Sequence, residues 1–235
     1  MNINLMPKPV NFKFGEYINK GIDLLKKDFG NVFVGFLMCF IMSIIPFCGL
    51  LAAGNLYKYL QKLNRNQPTS PGEIFDFKDF MPYFILQLII IAGVIALYIP
   101  IMILGVLGGL MSNENGEPSA GVMIFMFPYM FLMIIALYYF LLRGFYMIPL
   151  ISFKGITDIK TVWNISTAMT KGNLWSILLF AIVVGILSQI GILACGIGIF
   201  ITIPFMYAAN YFAYEDAIQQ IEHDEITEIG SKNEF

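Results

Sequence analysis

Histidine is nearly missing from this chain: among 235 residues there is one, His223, close to the C-terminus. A single imidazole in that place excludes a histidine-based metal site and a Ser-His-Asp triad. Cysteine is scarce too. Cys39, Cys48 and Cys195 are an odd number without paired spacing, which fits neither a disulfide framework nor a zinc pattern. All three lie in apolar runs and read as buried, unreactive thiols. Charge is the third scarcity: Asp, Glu, Lys and Arg make up 13% of the chain, against about 25% in ordinary globular domains. With a net charge of −2 and no basic block, nothing points to nucleic acid as a partner.

Apolar residues fill the space that charge leaves, at 58% of the chain. Long apolar stretches run over Val32–Ala53, Met81–Met111, Val122–Leu142 and Leu174–Ala213. A helix needs about 20 apolar residues to cross roughly 30 Å of hydrocarbon. The last stretch is too long for one crossing, so it predicts a hairpin turning at Gly191–Gly198. The first stretch can be read as one span, or as two short ones turning at Pro46-Phe47-Cys48-Gly49. Charge bias favours two, because short loops rich in Lys and Arg stay in the cytoplasm. With six spans all fourteen basic residues share one side, while the turns Ile45–Gly49, Ser112–Gly121 and Gly191–Gly198 carry none. A re-entrant hairpin over 31–62 is the open alternative.

The expected fold is therefore all-α: an integral membrane bundle of about six transmembrane helices arranged as three hairpins, each preceded by a cytoplasmic amphipathic helix. The spans fall near 31–46, 49–62, 82–108, 122–147, 174–190 and 198–215, within a single helical membrane domain over 1–216. Residues 217–235 form an acidic cytoplasmic tail, and both termini are expected in the cytoplasm. No small-residue cleavage site follows the first apolar run, so a cleavable leader is not expected.

The polar segments carry their own patterns. FGEYINKGIDLLKKDF spaces Phe14, Tyr17, Ile18, Ile22, Leu25 and Phe29 as one helical face. SPGEIFDFKDF opens with Ser70, Pro71 and Glu73, a capping box, and then sets Ile74, Phe77 and Phe80 on one face. TDIKTVWNISTAMTKGN presents Ile159, Val162, Trp163 and Met169, with Gly172 ending the helix. These helices predict an interfacial position, with Phe14, Phe77 and Trp163 dipping toward acyl chains; packing as a small cytoplasmic cap is the alternative. The junctions KKDFGNVF, FKDFMPYF and MTKGNLWS, and the likeness of Ala53–Tyr59 to Ala208–Tyr214, suggest a tandem repeat.

Chemistry is hard to find at membrane depth. Arg143 is the one charge beside an apolar run, placed either to meet a lipid phosphate or to snorkel to the cytoplasmic face. Asn55, Gln87, Ser188, Gln189, Thr202 and Asn210 read as interhelical hydrogen-bonding groups. A polar pathway through Asn55, Asn210 and Arg143 is the sharper reading of three of these positions. The glycines of GILACGIGIFITIPF have no preceding strand and no charged partner, so they read as a packing turn and not a phosphate loop. No catalytic residue, metal or cofactor is expected.

Four stretches carry a family resemblance: Gly21-Ile22-Asp23-Leu24-Leu25-Lys26-Lys27-Asp28-Phe29-Gly30, Phe75-Asp76-Phe77-Lys78-Asp79-Phe80, Thr167-Ala168-Met169-Thr170-Lys171-Gly172-Asn173-Leu174-Trp175, and Gly191 to Pro204. Together they resemble a poorly characterised group of multi-pass bacterial membrane proteins, which includes the membrane domain of some glycerophosphodiester phosphodiesterases. The likeness covers about residues 12–216. It implies a six-span helical bundle in a bacterial cytoplasmic (inner) membrane. Catalysis in the phosphodiesterases belongs to a soluble domain without a counterpart in this sequence. The function expected is thus non-enzymatic: organising lipid or a partner protein at the cytoplasmic membrane face. A transporter or permease component for a small neutral or amphiphilic substrate is the alternative. Membrane lipids are the expected partners, with a membrane-protein partner or homo-oligomer open and no nucleic acid.

Overall fold

A computed structural model of the chain describes residues 8–112, 120–193 and 198–232. Among them every regular element is a helix: α1 Phe14–Ser43, α2 Gly49–Asn64, a 3-10 helix Pro71–Phe75, α3 Phe80–Leu110, α4 Ala120–Arg143, α5 Met147–Lys154, α6 Ile159–Met169, α7 Leu174–Leu193 and α8 Ile199–Lys232. Three segments are long and apolar enough to cross a membrane: Phe80–Leu110, Gly121–Lys154 and Leu174–Gly191. The chain divides into two compact units, one made of residues up to Phe84 with those from Leu142 onward, the other of Ile85–Leu141.

In the first unit α8 is the central helix. Ala208, Ala209, Tyr211, Ala213, Tyr214 and Ala217 are all buried, and this alternation of small and aromatic side chains lets neighbours approach on several sides. α1 comes closest. A Cβ at Gly21 would lie 2.9 Å from the Ala209 backbone nitrogen, so only glycine permits this crossing. Further along, α1 turns a second glycine to α2, where a Cβ at Gly35 would meet the Tyr59 ring at 2.6 Å.

The two halves of α1 meet at a kink, Asp28, with φ −149° and ψ 53°. Its carboxylate accepts from the Asn31 side-chain amide at 2.9 and 3.0 Å. The expected amphipathic helix and the first apolar run are the two helices that meet at this kink, in keeping with the two elements the sequence predicts. The chain then turns at 44–48, as the two-span reading of this region expects. Phe47 takes a left-handed φ of 63° there, unusual for a bulky residue, and its ring packs edge-on against Phe84 at 5.4 Å. α2 has 16 residues, and eight of them are buried in protein.

The second expected surface helix is corrected. The capping box forms: the Ser70 hydroxyl accepts from the Gly72 N–H, and Glu73 accepts from the Ser70 N–H. The helix it starts, however, is a 3-10 helix of only 5 residues. Asn55 of α2 ends it by donating to the carbonyls of Ile74 and Asp76, at 2.9 and 2.7 Å. The Asn55 amide thus supplies a donor to carbonyls at the end of this helix, and Ile74 is buried while Phe77 faces outward.

α7 is apolar all round but divides its surface. Ile177, Phe180, Val184, Ser188 and Gly191 recur at helical spacing and are buried, whereas Trp175, Leu179, Ile182, Ile186 and Ile190 are exposed. It returns into α8 through a close approach in which a Cβ at Gly191 would lie 2.2 Å from the Gly198 carbonyl carbon. Thr202 of α8 donates to the Ser188 carbonyl at 2.5 Å. The glycine-rich segment is thus a packing turn at both of its described ends; Cys195 lies outside the described residues. Cys39 and Cys48 are free and buried.

The second unit comprises the greater parts of α3 and α4. Most side chains here are apolar and exposed, among them Ile95, Met102, Val106, Phe125, Phe131 and Leu141, while Leu86, Val122 and Met133 are buried. Pro100 withholds a hydrogen bond inside α3 and crowds the preceding turn. The Tyr129 hydroxyl of α4 donates to the nearby Leu97 carbonyl at 2.8 Å, a neighbouring helix supplying a polar group at a proline site.

Replacing Gly21 with leucine should separate α1 from α8. Overpacking typically costs about 1–3 kcal/mol, and the obstruction here is backbone, so the upper end is expected. The measurement is the unfolding midpoint of the purified chain in detergent.

Candidate functional site

The charged groups of the first unit converge where α8 leaves its aromatic core. Glu215 and Asp216 follow Tyr214 directly, and about 100° of helical turn between neighbours sends their carboxylates to different partners. Glu215 is buried. It accepts from Arg65 at the end of α2, at 2.9 and 3.2 Å, and from the Tyr211 hydroxyl. Tyr211 accepts in turn from the Asn64 amide at 3.2 Å. Asp216 reaches the start of α1, accepting from the Tyr17 hydroxyl at 2.6 Å, the Lys13 ammonium at 2.9 Å and Gln220 at 2.6 Å. Beside them the Asn11 backbone and the Gln220 amide exchange two hydrogen bonds, at 2.8 and 3.0 Å.

A groove of about 480 Å³ lies between these three helices, lined by Lys20, Asp23, Lys27, Arg65, Phe212 and Gln219 among others. Its volume falls in the range of small-molecule sites, roughly 300–1,000 Å³. Its chemistry is balanced and largely engaged within the protein. Lys20 pairs with Glu16 at 2.7 Å and stands 6.0 Å above the Phe212 ring, Lys27 donates to the Asn66 side chain at 3.0 Å, and Arg65 is held by Glu215. No group of three His, Cys, Asp or Glu among the described residues is placed to hold a metal ion. The arrangement serves as an electrostatic clasp joining α1, α2 and α8.

The hydrogen bond and charge of Asp216 raise the Lys13 ammonium above its ordinary value of 10.5. Burial, and then Asp216, push the Tyr17 hydroxyl upward as well. At the 3-10 helix, Lys62 holds the Glu73 carboxyl below its ordinary value, and the Thr161 hydroxyl does the same for Asp158 at the start of α6.

The residues singled out in the sequence sit on three elements, Asn55 on α2, Arg143 on α4 and Asn210 on α8. Asn55 grips the end of the 3-10 helix, as described. Asn210 is half-buried on α8. Arg143, in the last turn of α4, donates to the Thr167 carbonyl at 3.0 Å, while its own carbonyl accepts from Ser166 at 2.6 Å. Asn55 and Arg143 thus have their own partners on different elements, and Arg143 joins α4 to α6. Of the three expected interfacial aromatics, Phe14 is half-buried with its ring 6.0 Å from Phe180, Trp163 is half-buried, and Phe77 is 49% exposed. The tryptophan that the structure exposes is Trp175, at 83%. The signal for it was the cation four residues before it, Lys171, at the mouth of an apolar run.

Compared with known proteins, the chain matches no family model, no curated protein and no solved structure. Its class follows from the molecule itself: among the described residues it is all-helical, with three helices long and apolar enough to cross a membrane.

Two predictions concern this region. Asn55→Ala strips two carbonyls of their donor and should cost about 1–3 kcal/mol in unfolding free energy, the range for unsatisfied buried groups. The pH response has a definite sign. A cation whose folded value is raised stabilises at all pH below its unfolded value, and the gain is lost as pH climbs through the folded one. The Lys13 contribution should therefore hold through neutral pH and fade in alkali above 10.5. Asp216→Asn should flatten that part of the curve of melting temperature against pH.

Proposed function

We propose that the chain is a non-enzymatic integral membrane protein that organises lipid, or a partner protein, at the cytoplasmic face of a bacterial inner membrane. The observation that carries this reading is α3. None of its most apolar window is buried inside the protein. Apolar surface left in water is unfavourable by about 25 cal/mol per Å², and a bilayer removes that penalty along the whole helix.

Six crossings with both termini inside remain our reading of the topology. Support comes from the return of the chain at 44–48 and at Gly191–Gly198, and from the single compact unit that holds both roots of the α3–α4 segment, Phe84 and Leu142. The paired charges around Glu215 and Asp216 belong on the cytoplasmic side in this topology, as a rigid face presented to lipid headgroups or a partner. The resemblance to multi-pass bacterial membrane proteins is in keeping with this role.

Topology is tested with single cysteines at Asn66 and Ser112 in a chain whose native cysteines are alanine. In intact cells an impermeant maleimide should label the Ser112 position and spare the Asn66 position, and lysis should open the latter. Labelling of Asn66 in intact cells would overturn the arrangement. Solute uptake by vesicles containing the purified protein would move the reading to a permease.

A further inference from the structure

Two sets of lysines stand out, while Lys27, which donates to Asn66, and Lys160 are also exposed without an ion pair among the described residues and belong to neither. Lys13, Lys20, Lys58, Lys62 and Lys154 are paired with carboxylates, as is Arg65. Lys26, Lys78 and Lys171 are exposed and have no ion pair among the described residues. The division follows position. Each of the three stands within a few residues of the root of an apolar helical stretch: the second half of α1, α3 and α7.

Apart from the exposed Asp23, three residues before Lys26, carboxylates near these roots are already engaged. Asp28 holds the Asn31 amide, Asp76 accepts from the Lys78 backbone N–H at 2.9 Å, Asp79 pairs with Lys58, and Asp158 caps α6 through Thr161 at 2.9 Å. Each free ammonium also has an exposed ring close by in sequence: Phe29 at 40%, Phe77 at 49% and Trp175 at 83%. Of these rings the Trp175 indole is amphipathic, and such a ring at the end of an apolar helix suits the boundary between headgroups and acyl chains. A lysine there extends its ammonium to the phosphate level, and the positive end of the helix dipole adds to the attraction at α3 and α7.

We propose that Lys26, Lys78 and Lys171, each with its neighbouring ring, are binding points for anionic phospholipid headgroups in the cytoplasmic leaflet, with Trp175 lying at the headgroup–acyl boundary. This deepens the function proposed above and rests on its membrane reading. The occupant is set by charge complementarity: three cations that the protein leaves unneutralised meet a surface of fixed negative charge.

The chain has two tryptophans, so Trp163→Phe leaves Trp175 as the sole indole in the full-length protein. Reconstituted in vesicles of phosphatidylglycerol and phosphatidylcholine, with bromine on the acyl chains of one lipid at a time, Trp175 reports which lipid lies beside it. Quenching should favour brominated phosphatidylglycerol, with a relative affinity of about fivefold, the expectation for one lysine at an anionic surface. Lys171→Gln should bring the ratio to near one, Lys171→Arg should keep it, and added salt should shrink it. With Trp163→Phe/Trp175→Phe/Phe77→Trp, the same test reads Lys78. Equal quenching by both lipids would overturn headgroup selection and leave the membrane reading standing. Quenching by neither would overturn both at this helix and favour an acidic protein partner instead.

Discussion

The close crossing of α1 over α8 sets the geometry on which the rest of the first unit depends. Gly21 brings the α1 backbone against Ala209, and that proximity carries the Tyr17 hydroxyl to Asp216. A larger residue at either small position would hold the helices apart and leave the half-buried Asp216 carboxylate short of its donors. Apolar packing and polar satisfaction are therefore one arrangement: the small residues make the approach, and the hydrogen bonds fix its register. Around it stands a set of edge-on rings, with Phe12 5.4 Å from Phe180, Phe145 5.0 Å from Tyr214 and Tyr57 4.9 Å from Tyr214. Contacts of this kind hold helices at defined angles more strictly than aliphatic packing does.

Two kinds of apolar helix result. α2 and the first half of α8 turn their apolar surface into protein. α3 and α4 keep theirs outward, and α7 does both on opposite faces. In a chain this poor in charge the contrast is informative, because an outward helix with apolar residues on every face needs a solvent other than water. The charged groups follow the same division. Around Glu215 and Asp216 they are paired with one another, whereas Lys26, Lys78 and Lys171, beside apolar helices, have no ion pair among the described residues.

Local signals in the sequence were the legible ones. Ser70, Pro71 and Glu73 specify their capping box within four residues, and the turn before Gly49 announces itself by Pro46 and a loss of helical continuity. The length of the 3-10 helix was not legible, because Asn55, which ends it, lies 19 residues from Ile74. Nor was the burial of span-like segments. Periodicity needs contrast, and in α7 the buried and exposed faces are equally apolar, so the stripe from Ile177 to Gly191 has no signature in residue type. Arg143 was visible as an anomaly, yet its partner is a backbone carbonyl, and carbonyls are the same in every sequence. Trp175 was overlooked because attention to helical faces favours residues inside amphipathic segments over those just beyond them.

The clasp between the chain's beginning and its last helix bears on how the protein is made. Tyr17 waits for a partner 199 residues downstream, and the Asn11 backbone for one 209 residues downstream. The ribosome therefore delivers the opening helix long before the surface that will cover it exists. Biogenesis must shelter the Tyr17–Gly21–Leu24 flank until translation is nearly complete, and a messenger truncated before α8 yields a polypeptide whose first helix has nowhere to settle.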